Sequence, residues 1–208
     1  EMTIPCPPNK ISTIYSLDSP VIKKITIIDN EEKISDNAFK GLKSVEEIVL
    51  SESIKSIGNN SFEGCSSLKN LIIPNSVSSI GSSAFLNCSS LEKMIIPSKI
   101  KIIEENTFDG CTSLREIKLP ETITNIKRYS FKGCSLLENI NLPNSIREIG
   151  EYSFSGCKKI KEIIIPSNIT LISNGIFNEC ESLSNITIQG SITEFGEYSF
   201  SGCKSLWK

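Results

Sequence analysis

From Ile34 onward, apolar residues return at fixed places in a unit of 23, with polar residues between them. In the unit that opens at Phe108, the apolar places are Cys111, Leu114, Ile117, Leu119, Ile123 and Ile126, and Phe131 opens the next. Ile117 and Leu119 are two apart, the period of a half-buried strand, and Pro120 ends that strand by removing a backbone donor. Pro74, Pro97, Pro143 and Pro166 close it in the same way, with Ser51 and Gln189 in the outer units. A turn of small polar residues such as Pro74-Asn75-Ser76 follows, then a pair three apart, Val77 and Ile80, and then Gly81. Gly58, Gly150 and Gly196 hold that last place, and the expectation is that they take the positive φ of a sharp corner. The segment around each phenylalanine is too short for more than a turn or two of helix or 3₁₀.

Steps of 23 residues from Phe85 land on Phe39, Phe62, Phe108, Phe131, Phe154, Phe177 and Phe200. Three residues later run Cys65, Cys88, Cys111, Cys134, Cys157, Cys180 and Cys203, with Leu42 in the first unit. A fixed period of this length means stacked repeats, and strand-plus-turn content selects a solenoid. One coil cannot bury its own apolar residues. Stacking sets phenylalanine on phenylalanine and isoleucine on isoleucine, with parallel strands about 4.8 Å apart forming a sheet on one face. The predicted fold is thus an α/β solenoid, mainly β.

Residues 1–33 are read as an N-terminal cap and degenerate first repeat. Pro5, Pro7 and Pro8 resist helix, Ile25 and Ile27 supply a first strand, and Glu31 stands where later repeats carry isoleucine or valine. Residues 34–208 form the array. Its last residues, Ser205-Leu206-Trp207-Lys208, precede the strand that the period calls for, so the chain reads as part of a longer array or as a terminus closed by a partner.

The unit Leu68-x-x-Leu71-x-Ile73-Pro74-x-Ser76-Val77-x-x-Ile80-Gly81-x-x-Ala84-Phe85-x-x-Cys88 resembles the BspA-like class of leucine-rich repeats over about residues 34 to 206. Departures are mild: Leu42 for cysteine, Ser51 and Gln189 for proline, Phe195 for isoleucine, Ile176 for the small residue. The resemblance implies a right-handed leucine-rich-repeat superhelix. It also implies a surface or secreted protein of a bacterium or protist that adheres to host extracellular-matrix or cell-surface proteins.

Composition narrows the chemistry. The 22 basic and 24 acidic residues leave a net charge of −2, which gives no electrostatic reason to seek nucleic acid or anionic membrane. No apolar run reaches the 18 residues of a membrane span. With no histidine, Ser–His and Cys–His pairs and HExxH zinc sites are excluded. Cysteines 23 apart lack zinc spacing, and their stacked side chains run parallel, so they read as buried, reduced fillers rather than bridges. Glu46-Glu47 and Glu104-Glu105 diverge on strand or turn and read as solvated surface. Neither an enzyme nor a cofactor is expected.

The residue between the two inward strand positions points outward. That column reads Val49, Ile72, Ile95, Lys118, Asn141, Ile164, Thr187, flanked by Glu47, Asn70, Lys93, Glu116, Asn139, Glu162 and Asn185. β-propensity alone accounts for isoleucine at strand positions. The competing account is an apolar strip on a protein-binding face with a polar rim. Candidate ligand-binding residues are the seven of the strip with Asn70, Lys93 and Glu116. Asn59, Asn87, Asn168 and Asn185 lie in glycosylation sequons, of which Asn87 precedes a core cysteine; Asn59, Asn168 and Asn185 remain as candidate acceptors. Two functions stand: a non-enzymatic surface or secreted recognition module, or an intracellular scaffold of the same fold.

Overall fold

The computed structural model describes residues 2–4, 22–27 and 31–206. Strands Met2–Ile4, Lys24–Ile27, Glu47–Val49, Asn70–Ile72, Lys93–Ile95 and Glu116–Lys118 form a parallel six-stranded sheet in chain order. From the second strand on, each is one period from the next: Ile48 pairs with Leu71, and Ile117 with Met94. The ladder thins to a single bridge, Glu116 with Asn139, because that coil offers two asparagines where strands favour β-branched residues. It resumes as Glu162–Ile165 beside Asn185–Ile188. Cys6, Trp207 and the three prolines of the expected cap lie outside the described residues. Part of that segment, Met2–Ile4, joins the sheet as a strand beside Lys24–Ile27.

A second, shorter ladder turns the coil at the apolar pair. Lys33–Ile34, Ser56–Ile57 and Ser79–Ile80 stack in parallel, as do Ile102–Ile103, Asn125–Ile126 and Glu148–Ile149, then Leu171–Ile172 with Glu194–Phe195. Their inward residues Ile34, Ile57, Ile80, Ile103, Ile126, Ile149 and Ile172 are all buried.

Phenylalanines hold the third corner. The rings of Phe39 through Phe200 stack with centroids 5.2 to 5.8 Å apart and planes within 17° of parallel. This offset arrangement suits the aromatic quadrupole. The segment around each ring forms turns rather than helix or 3₁₀; no helix occurs among the described residues. Left-handed backbone supplies the reason. Residues two before the ring (Asn37, Asn60, Ser83, Asn106, Tyr129, Tyr152, Gly175, Tyr198) and two after it (Gly41, Gly64, Asn87, Gly110, Gly133, Gly156, Glu179, Gly202) have φ between 52° and 79°. A left-handed residue on each side of the ring aims every second N–H along the stack. Ser83, Phe85 and Asn87 thus donate to the carbonyls of Glu105, Thr107 and Asp109 in the next coil at 2.7–2.9 Å. A helix would turn those donors inward along its own axis, leaving the coils unjoined at this corner.

The glycine expectation is overturned. Gly58, Gly81, Gly150 and Gly196 do not have positive φ. They mark close approach of coils instead: a Cβ on Gly81 would lie 2.6 Å from the Asn59 nitrogen, and one on Gly150 2.5 Å from that of Arg128. Glycine's freedom is used at the place two residues after the ring, where six of eight coils carry it.

The cysteines are free and buried from Cys65 to Cys203. They do more than fill space. Each thiol donates to the carbonyl of the phenylalanine in the previous coil, as Cys88 does to Phe62 at 3.1 Å and Cys134 to Phe108 at 3.2 Å. Glu31 is buried at the head of the column continued by Ile54, Val77 and Ile100, in keeping with a degenerate first unit.

Candidate functional site

Alternation along each main strand decides what the sheet face shows. Ile48, Leu71, Met94 and Ile117 face the core, as do Leu50, Ile73 and Ile96 two residues on. The intervening Val49, Ile72 and Ile95 therefore point to solvent, at 38%, 83% and 65% exposure. Val49 pairs with Ile72, Lys118 with Ile95, and Asn70 with Lys93 between them, so the strands carrying the column share one register. Thr26 precedes it, paired with Val49.

Beside this strip run Lys24, Glu47, Asn70, Lys93 and Glu116, one per coil. Lys24 meets Glu47 at 3.0 Å, and Glu116 meets Lys93 at 3.7 Å and Lys118 at 3.6 Å. Exposed pairs of this kind contribute about 0–1 kcal/mol each, so they set charge pattern more than stability. Lys24 was missed at the sequence level, although one further step of 23 reaches it.

Two clefts lie on either side of Ile72. The larger, about 540 Å³, is bounded by Val49, Ile72 and Pro74 with Glu46, Glu52 and Lys69 at its edge. The second, about 330 Å³, lies between Ile72 and Ile95 with Asn70, Asn75 and Lys93 around it. Glu46, Glu52, Lys69 and Asn75 are outside the strand alternation that singled out the strip, so pattern alone did not find them. Glu46 is clamped by Lys69 at 3.0 Å and Lys23 at 3.2 Å, and hydrogen bonds from these lysines, Lys69 first, hold its carboxyl below the usual range.

The rest of the predicted column is not one surface with this strip. Asn141 sits in the coil where the ladder thins, and Ile164, 48% exposed, pairs with Thr187 in a separate two-stranded sheet. A small depression of about 210 Å³ joins Asn141 to Ile164. Among the sequons, Asn59 Oδ1 accepts the Ser82 N–H at 2.9 Å, Asn168 Nδ2 donates to the Asn144 carbonyl at 2.7 Å, and Asn185 is exposed on its strand. Among the described residues, no group of three or more His, Cys, Asp or Glu side chains is placed to hold a metal, and no helix is long and apolar enough to cross a membrane.

The BspA type leucine rich repeat region matches residues 11–136 and 78–207, in six copies. The chain belongs to this family. Its fold is that of solved leucine-rich-repeat proteins. A leucine-rich-repeat protein of T. pallidum is 24% identical with a TM-score of 0.61, covering 89% of this chain and 78% of that one. A leucine-rich cell surface protein of Faecalibacterium prausnitzii is 24% identical with a TM-score of 0.67, covering 89% and 66%. A leucine-rich-repeat protein of Bacteroides ovatus is 25% identical with a TM-score of 0.58, covering 88% and 65%. The chain thus spans about two thirds of the length of the last two. No curated protein matches the chain at a significant level. These likenesses bear out the right-handed leucine-rich-repeat superhelix and the BspA-like resemblance, and with them a repeat architecture built for protein interaction.

Proposed function

We propose that the chain is a non-enzymatic recognition module of a cell-surface or secreted adhesion protein, and that it binds a protein ligand through the Val49–Ile72–Ile95 strip. One observation carries this reading. Ile72 is 83% exposed between two clefts, in a molecule whose other strand isoleucines are mostly buried. Desolvating such a side chain in a complex yields roughly 25 cal/mol per Å², with nothing in the free protein to offset it. Strand propensity also places β-branched residues at this repeat position, but the clefts on either side of Ile72 favour the binding account. Charged neighbours on the flank then select the partner by sign. The likeness to a leucine-rich cell surface protein of Faecalibacterium supports a surface location.

Replacing Ile72 and Ile95 by Asp is expected to abolish binding to immobilised extracellular-matrix proteins and leave the fold intact. Ile164→Asp is expected to do less, and Tyr129→Ala and Tyr152→Ala, on another corner, to leave binding unchanged. Loss with the tyrosine variants and retention with the isoleucine variants would move the site to the other corner. The intracellular-scaffold reading draws on the unbridged cysteine ladder. Labelling intact cells with an impermeant reagent separates the two locations. In a eukaryotic secretory pathway, Asn59, Asn168 and Asn185 are the proposed glycan acceptors.

A further inference from the structure

The flank column has an order of charges with a geometric property. Lys24, Glu47, Asn70, Lys93 and Glu116 run plus, minus, neutral, plus, minus along the stack. Read backwards, the same column has the opposite sign at every charged place, and Asn70 stays at the centre. The apolar strip is centred on the same coil, with Val49 before Ile72 and Ile95 after it. A column that is its own complement on reversal fits an isologous contact, in which one surface meets itself about a twofold axis.

We propose that the partner of this face is a second copy of the chain, docked with its stack reversed about an axis that passes through Ile72 along the strand direction. The proposal rests on the sheet face being the binding face and names its occupant. Two copies meeting face to face must reverse one in-plane direction. Reversing the stack lays Ile72 on Ile72 and Val49 on the second copy's Ile95. It also brings Glu47 against the second copy's Lys93 and Lys24 against its Glu116. All four charges of each flank then meet an opposite sign. Reversing the strand direction instead carries each flank to the far side of the strip, where the other copy has Ser51, Pro74, Pro97 and Pro120, and no charge is met.

Register is fixed by the same residues. Moving the axis by half a coil, to lie between Ile72 and Ile95, sets Glu47 against Glu116 and Val49 against Lys118. Like charges and a desolvated ammonium both oppose that register. The next column out, Lys23, Glu46, Lys69, Glu92, Arg115, meets like signs under the proposed rotation. These like signs oppose close contact at the outer column and confine it to the strip and its inner flank, where the pairs Lys24–Glu47 and Lys93–Glu116 within one copy exchange partners on docking. Close contact limited to the strip and its inner flank is small beside the roughly 1,200 Å² of stable complexes. The pairing is therefore weak and reversible, and gains strength where many copies are displayed on one surface.

Sedimentation equilibrium of the whole chain tests this. The wild-type protein is expected to dimerise reversibly below about 1 mM, with dissociation promoted by salt. Glu47→Lys and Lys93→Glu alone place like charges across the axis, and each is expected to weaken the dimer at least about tenfold. An equimolar mixture of these two variants is expected to associate, because each contact across the axis between positions 47 and 93 then again sets a lysine of one chain against a glutamate of the other. That rescue requires position 47 of one chain to face position 93 of the other, as this register sets them. Ile72→Asp is expected to be monomeric with unchanged circular dichroism, since its side chain is outside the core. A wild-type monomer at every concentration, or a mixture that fails to associate, overturns the second copy as partner. If matrix-protein binding is still lost in the isoleucine variants, the sheet-face reading survives that failure. A dimer that persists in Ile72→Asp overturns the docking and shows that self-association uses another surface.

Discussion

The thiol of Cys111 donates to the carbonyl of Phe85, 26 residues earlier, at 3.2 Å. The same oxygen accepts the Cys88 N–H at 3.1 Å, so one carbonyl joins a turn within its coil to the next coil in the stack. Burial pushes these thiols up, to about 12 at Cys65 and far above their ordinary value at Cys111, Cys134 and Cys157. Thiolate is the reactive form, so these side chains are inert at neutral pH.

Alkylation of the native protein at mildly alkaline pH is expected to leave Cys111, Cys134 and Cys157 unmodified. Cys203, in the last described coil, is expected to be modified first of the ladder, and all become reactive on unfolding. A native mass short by pairs of protons, or labelling of Cys134 as fast as Cys203, contradicts this account.

Phe108 is fully buried between Phe85 and Phe131, at 5.3 and 5.5 Å. Phe200 is partly buried and meets only Phe177 and Phe195 among the described aromatic rings. Phe108→Ala is expected to cost about 3–5 kcal/mol. Phe200→Ala is expected to cost less, because fewer contacts are lost. Urea denaturation compares the two, and equal losses contradict stability carried by neighbouring coils.

Glu179 holds left-handed backbone, φ 58°, at a place where Gly110, Gly133, Gly156 and Gly202 occupy other coils. A residue with a Cβ gives up roughly 1–2 kcal/mol there, part of which glycine returns as entropy of the unfolded chain. Glu179→Gly is expected to raise the melting temperature. A decrease shows that the Glu179 side chain contributes more than its backbone costs.

Glu181 lies between Lys158 and Lys204, 2.9 Å from each, and hydrogen bonds from Lys158 first and Lys204 second hold its carboxyl down at about 2. Its folded value is below its unfolded value. The contribution to stability is fully present above the unfolded pKa, about 4.3, and is lost as pH falls through about 2. Carbon-detected titration is expected to show this low midpoint, moving upward in Lys158→Met and again in the double variant with Lys204→Met. A midpoint indifferent to both lysines contradicts the clamp.

Much of this architecture is determined by sequence because a repeat states its pattern many times. Strand register was legible from Ile117 and Leu119 flanking Lys118: a period of two admits only one assignment of faces once Pro120 ends the strand. The Val49–Ile72–Ile95 strip followed from it. Tertiary structure alone decided the phenylalanine corner. Its left-handed backbone is written in residues as different as Asn106, Tyr129 and Gly175, which share no side-chain chemistry and are held by hydrogen bonds to the neighbouring coil. The role of Gly81 was hidden for a related reason, since a glycine kept for close approach looks in sequence like one kept for its φ. The clefts beside Ile72 were hidden too. Glu46, Glu52 and Asn75 reach them from turns and strand margins, and only the stacking of coils brings those places together.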